Sequence, residues 1–382
     1  MRLPSLIPVL VLAVGCVGED PGPRLTSEPG DLVSPDVERT AVSFADAPHL
    51  SLGGVDATGP TQFSRVTDLV VTEDGSIWVA DAQTQEIRVF DSSGAHTFTV
   101  GGKGRGPGEF QSLRFLGAAP DGSVVAVDGA TKRVRRFAQS GEPLETTTWD
   151  HATRVAPIGF APDGSLVGIE QPTRPAGVLP QGGVYEDTVS LLVWADLVEP
   201  ADTVAELPGF VSVVSTEGAR RLPFSTMPAV GVGDRILFSS GPEPEIRVMQ
   251  GDSVARRIIV DREPTSVASV RGEYRAFVEE TFDAESARQQ LDLLGHPALP
   301  EYVSAFYHFV VTSDGRIWAE RPPNGSRDDS VWDVFDSTGR LLGQVQPPAG
   351  FVIHSVDDNV VTGVWSDDFG VAYVQQWETT RR

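Results

Sequence analysis

Displaced by 47 residues, the chain matches itself without a gap over two long stretches. GPTQFSRVTDLVVTEDGSIWVADAQTQEIRVFDSSG begins at Gly59, and GPGEFQSLRFLGAAPDGSVVAVDGATKRVRRFAQSG begins at Gly106. The coinciding pairs include Gly59/Gly106, Pro60/Pro107, Phe63/Phe110, Asp74-Gly75-Ser76/Asp121-Gly122-Ser123, Asp81/Asp128, Arg88/Arg135, Phe90/Phe137 and Ser93-Gly94/Ser140-Gly141. A repeat of this length constrains the fold more than any other feature. One unit cannot bury its apolar face alone and must stack against its neighbours.

Each unit reads as strand, Asp-Gly turn, strand, polar turn, strand, Ser-Gly turn, strand. Asp-Gly supplies the positive φ angles of a tight hairpin. Ile77–Ala80 and Ile87–Phe90 are β-branched and aromatic, as strands prefer. Fainter copies follow: IGFAPDGSLVGIE, with a later strand at Ser190–Asp196; AVGVGDRILFSSGPEPEIRVMQGD, its turn reversed to Gly233-Asp234; HFVVTSDGRIWAERPPNGSRDDSVWDVFDSTG; and IHSVDDNVVTGVWSDDFGVAYVQQWE. Six four-stranded units of this size predict an all-β fold, a six-bladed β-propeller over 41–378. The last unit holds three strands, so Ala41–Leu52 is expected to supply its fourth and close the ring.

The glycine run GGKGRGPGEF at 101–110 invites a phosphate-loop reading, which its residues refuse. Gly104 follows Lys103 where a P-loop needs Ser or Thr, and the third glycine of a dinucleotide fingerprint falls on Pro107 or Glu109. The run is read as the joint between blades one and two. One segment breaks the repeat, a helical insertion at about 268–300 between blades four and five. Tyr274, Phe277, Val278 and Phe282 are spaced for one helix face, and Gly295 with Pro297 stops the run. It is either a long connection or a cover over one mouth.

"GPGEF…DG…VVAVD…KRVRRF…SG" and "DGSIWVADAQTQEIRVFDSSG" resemble NHL repeats, and the whole chain resembles a bacterial six-bladed β-propeller lipoprotein. Similar six-bladed folds include metal-dependent lactonases and amidating lyases, which direct carboxylates, asparagines or histidines into the channel. That resemblance implies an alternative function, a calcium- or zinc-dependent hydrolase or lyase.

The N-terminus, MRLPSLIPVLVLAVGC, has a basic residue at Arg2 and an apolar run from Leu3 to Val14. The run is too short to span a bilayer and has the size of a signal-peptide core. Ala13-Val14-Gly15-Cys16 resembles the bacterial lipobox, which implies cleavage of 1–15 and lipid attachment at Cys16. The departure is Ala13, where the pattern prefers leucine, so a plain secretory signal stays open. Cys16 is the sole cysteine, and a lone thiol in an exported chain is accounted for by lipidation. Residues 16–40, rich in Pro, Gly, Ser and acid, read as a flexible tether. Val17 carries no retention aspartate, which favours the outer membrane over the inner.

Thirty basic against 53 acidic residues give a net charge of −23. That excess disfavours nucleic acid, and contact with membrane is expected only through the lipid. There is no G-x-S-x-G, the histidines show no metal-binding spacing, and no calcium loop is present. What remains is a site assembled one residue per blade around the axis, near the start of each innermost strand. The candidates are Arg65 and Asp68 in blade one, Arg114 in two, Arg154 in three, His308 in five and His354 in six. They could bind an anion or coordinate a metal. Three arginines would repel a divalent cation, so the reading is a monomeric, non-catalytic scaffold that requires no cofactor. Its expected partner is a protein, peptide or glycan of the cell envelope.

Overall fold

The computed structural model describes residues 30–37, 40–170, 183–197, 201–215, 218–225, 227–251, 253–322, 330–367 and 369–381. Cys16, the signal stretch 1–15 and the first part of the tether lie outside them. The protein is a six-bladed β-propeller with a helical insertion between blades four and five. The innermost strands are Val66–Val71, Leu113–Ala118, Val155–Phe160, Ala229–Val232, His308–Val311 and Phe351–Asp357. Each neighbours the next, and the sixth neighbours the first, so they close a ring around a channel.

Every blade is an antiparallel meander running from axis to rim. The turn between its first two strands therefore lies on one face of the disc, and its link to the next blade lies on the other. These are called the turn face and the link face below. The ring closes as expected. The last strand, Ala372–Arg381, pairs on its outer side with two segments from the start of the chain, β2 (Val42–Phe44) and β3 (Leu50–Gly53).

The tether is shorter than its composition suggests. β1 (Leu32–Pro35) runs parallel to Ser253–Asp261 as a fifth strand on blade four. Asp31 accepts from Arg257 Nε at 3.1 Å. Asp36 lies 3.3 Å from Arg321, which also pairs with buried Asp333 at 2.7 Å. Thr40 then bridges Gln344 on blade five. The chain thus crosses the outer edges of blades four, five and six before it enters blade one. Four residues are too few to show strand periodicity, and aspartates bound to arginines on distant strands look like solvated linker in sequence.

Packing between blades carries the core. Trp78, fully buried, packs against Phe110, Leu113 and Phe137 of blade two, and Trp318 packs against Phe351 and Ile353 of blade six. Truncating either to alanine costs about 3–5 kcal/mol. Asp81 and Asp128 tie each blade together on the link face. Asp128 accepts backbone N–H bonds from Ala130 and Thr131 in the turn that follows it, and from Gln111 and Ser112 before the inner strand. Asp81 does the same with Gln83, Thr84, Ser64 and Arg65.

The insertion is two helices, α1 (Val267–Thr281) and α2 (Ala284–Asp292), broken where Asp283 caps the second. Val267, Val270 and Val278 are buried, and Tyr274 packs on Phe224 at 4.8 Å. Phe282 lies just past the helix: it caps α1, is 41% exposed, and sets its ring edge-on to Phe277 at 6.4 Å. The insertion follows an outer strand and so belongs to the link face. A long hairpin of blade three rises there too, where Val184–Trp194 pairs with Asp202–Ser215 and the latter with Gly218–Arg221.

Candidate binding site in the channel and at its mouth

The channel holds a cavity of about 490 Å³ lined by the inner strands of all six blades. Asp68, His308 and His354 line it together, from blades one, five and six, which adjoin around the ring. The remaining lining is almost wholly aliphatic and aromatic, with Ser355 the one other polar side chain. Three polar groups converge on one wall and face an apolar opposite wall.

Asp68 is enclosed by protein yet open to the channel. Its Oδ2 accepts from Leu116 N at 2.8 Å on blade two, and its Oδ1 accepts from its own neighbour Leu69 N at 2.9 Å. Loss of hydration dominates these bonds and pushes its pKa up to about 7. His308 stacks edge-on against Trp332 at 5.5 Å. Burial, aided by the neighbouring His354, brings its pKa down to about 4. Burial also lowers His354, whose Nδ1 lies 3.2 Å from the Val352 carbonyl. Nδ1–H donates there, which leaves Nε2 as an acceptor. Both imidazoles are neutral at pH 7.

The three arginines do not enter this cavity. Arg65 precedes its strand and is exposed, its backbone N–H held by Asp81 Oδ1 at 3.2 Å. Arg114 is exposed and lies across Gly129, where an added Cβ would come within 2.3 Å of its Cδ. Arg154 pairs with Glu170 at 3.1 Å. All three mark the link-face rim over blades one to three. They form a group separate from the channel trio.

Sequence reasoning missed several neighbours. Glu170 occupies the place in blade three that Asp81 and Asp128 hold in the first two, opposite the first residue of the inner strand. The repeat register could have revealed it. Lys103 and Arg105, exposed in the glycine-rich link, extend the cationic rim, and Arg133 donates to the Arg105 carbonyl at 3.4 Å. The link does cradle an anion, its own: Glu109 Oε2 accepts from Gly106 N at 2.7 Å. It joins His96–Gly101 of blade one to Leu113–Ala118 of blade two, as a joint should. The first turn of every blade carries an aspartate on the turn face, namely Asp74, Asp121, Asp163, Asp234, Asp314 and Asp358, and arginines balance four of them: Arg136 pairs with Asp121, Arg235 with Asp234, Arg316 with Asp314, and Arg381 with Asp314 and Asp358.

The trio does not fit a metal ion. Among the described residues no three His, Cys, Asp or Glu side chains stand close enough to share one. Nor is any described helix long and apolar enough to cross a membrane.

The sequence profile of a family described as a six-bladed β-propeller matches residues 61–160, which are blades one and two and the start of three. No curated protein matches the chain. Among solved structures, a Bacteroides fragilis protein inferred to be exported is 12% identical, with a TM-score of 0.51 over 92% of this chain and 99% of its own. A Xanthomonas campestris gluconolactonase is 12% identical, with a TM-score of 0.46 over 90% and 99% of the two chains. Virginiamycin B lyase of Staphylococcus aureus is 11% identical, with a TM-score of 0.43 over 87% and 99%. The first of these likenesses bears on fold alone, and the other two carry no argument about chemistry.

Proposed function

We propose that the protein is an exported propeller, lipid-anchored at Cys16 to the outer membrane, that binds a protein, peptide or glycan of the cell envelope across its link face without catalysing a reaction. One observation carries this reading. The arginine rim, the blade-three hairpin and the two helices, all departures from the regular repeat, collect on that face, while the turn face keeps the repeated turns. A rigid disc with irregular segments on one side suits recognition. The NHL-like repeat is the scaffold that presents them.

The test is photocrosslinking from a residue introduced at Arg105 on the link face and at Ser92 on the turn face. Envelope components should be captured from the first position and lost with Arg65→Glu/Arg114→Glu. Equal capture from Ser92 would sink the reading. Cys16→Ser should move the protein from the membrane to the soluble fraction.

The second reading, a calcium- or zinc-dependent hydrolase or lyase, has in its favour that Asp68, His308 and His354 share one cavity. Against it stands their spacing. Stoichiometric metal in the purified protein, lost on Asp68→Asn and His308→Gln, would restore it.

A further inference from the structure

The channel trio is unaccounted for by a binding surface on the link face, and its chemistry specifies a ligand of its own. The wall presents acceptors. Each Asp68 oxygen already takes one backbone N–H and keeps a lone pair for another donor. His354 turns Nε2 away from its Val352 bond. The His308 ring touches Trp332 edge-on and has no hydrogen-bond partner among the described residues. The only charge lining the cavity is that of Asp68, and the opposite wall is built from residues such as Phe115, Ile158, Val230 and Val232. An enclosed carboxylate without a counter-charge is costly, and a cation that pairs with it recovers part of that cost.

We propose that the channel binds a small organic cation, a protonated amine carrying an apolar body, with its ammonium paired with Asp68 on the wall that His308 and His354 share and its body against the aliphatic and aromatic wall. Three features exclude the other ligand classes. An anion would meet the carboxylate with no positively charged group lining the cavity. A bare metal ion needs ligands about 2.0–2.5 Å away on every side, which the trio does not supply, whereas an ammonium needs only the one carboxylate, at about 2.8 Å, and fills the remaining room with carbon. A neutral apolar molecule would leave the carboxylate unpaired. The volume suits a single ring or short chain, since small-molecule sites run from about 300 to 1,000 Å³. The net charge of −23 draws cations toward the protein as a whole.

The probes are 2-phenylethylammonium, the neutral 2-phenylethanol and the anionic 3-phenylpropionate, titrated calorimetrically into the mature protein at pH 8. The ammonium should bind at one site per chain, at least about tenfold tighter than the alcohol, the expected worth of one charge-assisted contact. Asp68→Asn should remove at least about that tenfold, and His354→Gln should weaken binding in the same direction. Both variants must melt as cooperatively as the parent. The affinity should fall below pH 7 as Asp68 takes a proton, with His308 and His354 the other titratable groups facing it. Equal binding of alcohol and ammonium, tighter binding of the propionate, no saturation by any amine, or an unchanged affinity in Asp68→Asn would each overturn the proposal. So would stoichiometric displacement of the amine by Zn²⁺ or Ca²⁺. The proposal does not rest on the link-face reading: Arg65→Glu/Arg114→Glu, which tests that reading, should leave amine affinity within about threefold, because exposed rim charges act only through a screened field.

Discussion

Replacing Asp128 by asparagine tests whether the blade is tied by a charge or by an oxygen of the right shape. The carboxylate is fully buried and gathers four backbone N–H groups: Oδ2 takes Gln111 at 2.9 Å, while Oδ1 takes Ser112, Ala130 and Thr131 at 3.0–3.2 Å. Arg135, 3% exposed, stacks 4.5 Å from the Phe110 ring and makes no direct ion pair with this carboxylate. Asparagine keeps one acceptor oxygen, so the Oδ1 bonds can persist in neutral form. It turns an NH₂ toward the Gln111 N–H and removes the charge from the acceptor that remains. Losing a hydrogen bond to a charged group costs about 1.5–3 kcal/mol. The expected loss is therefore about 1.5–3 kcal/mol at pH 7. Urea unfolding should show it as a lower midpoint with an unchanged m-value. Asp121→Asn is the control, since that aspartate is 61% exposed and pairs with Arg136 at the surface; its cost should stay under about 1 kcal/mol. The sign of the pH dependence is fixed as well. Burial raises the pKa of Asp128, but the hydrogen bonds from Gln111 N–H, from Thr131 through its side chain and backbone, and from Ser112 N–H together outweigh it and hold the group below the ordinary carboxylate range. Its stabilisation is therefore complete above an unfolded pKa of about 3.9 and is lost as pH falls through the folded value. The gap between parent and Asp128→Asn should narrow below pH 4. A loss under about 0.5 kcal/mol at pH 7, or one that does not depend on pH, would refute the role of the charge.

Gly141 adopts φ +83°, and an added Cβ would come within 2.4 Å of the Phe98 ring on blade one, so Gly141→Ala should cost about 1–3 kcal/mol by urea unfolding. Deleting residues 1–40 removes β1 and its ion pairs and should leave a folded disc of lower thermal midpoint. Deleting 1–53 removes β2 and β3, leaves Ala372–Arg381 with an open edge, and should yield aggregated protein on size exclusion. Asp68 has a folded pKa raised to about 7, so the folded state holds its proton longer and this group's contribution to stability declines as pH rises from about 4 through 7. Asp68→Asn should accordingly match or exceed the parent in thermal stability at pH 8, and a clear loss there would show that the carboxylate is structural.

The disc was legible because its turns and packing residues recur. Asp-Gly and Ser-Gly return at fixed offsets, and Trp78 and Trp318 occupy matching places. The depth of each side chain along the channel was not. Counting back from the turn assumes that every inner strand is regular, and most are not. Pairing with the second strand skips Thr67, Arg114, Ile158 and His354, one bulged residue in each of blades one, two, three and six. Arg114 lies seven residues before Asp121, whereas His354 lies four before Asp358. The same irregularity therefore falls near the rim in one blade and well inside the channel in another. A bulge inserts one residue and redirects its neighbours, and no residue type announces it. Positions that look equivalent in sequence thus separate into a rim group and a channel group.

The position opposite the start of the inner strand shows how the repeat is turned toward function. In blades one and two it is aspartate, and its short side chain folds back onto backbone N–H groups. Blades three and five place Glu170 and Glu320 there. One more methylene carries the carboxylate past the backbone. Glu170 reaches Arg154 on the rim, and Glu320 accepts from Ser330 at 2.8 Å. Aspartate at this place fixes a blade; glutamate arranges its surface. On this logic, exchanging Asp81 for glutamate should cost stability, because the longer chain cannot reach the N–H groups of Ser64 and Gln83 in the same pose, whereas Glu170→Asp should leave the fold intact and release Arg154 from its ion pair. The link face owes its irregular character to small changes of this kind at repeated positions as well as to its insertions.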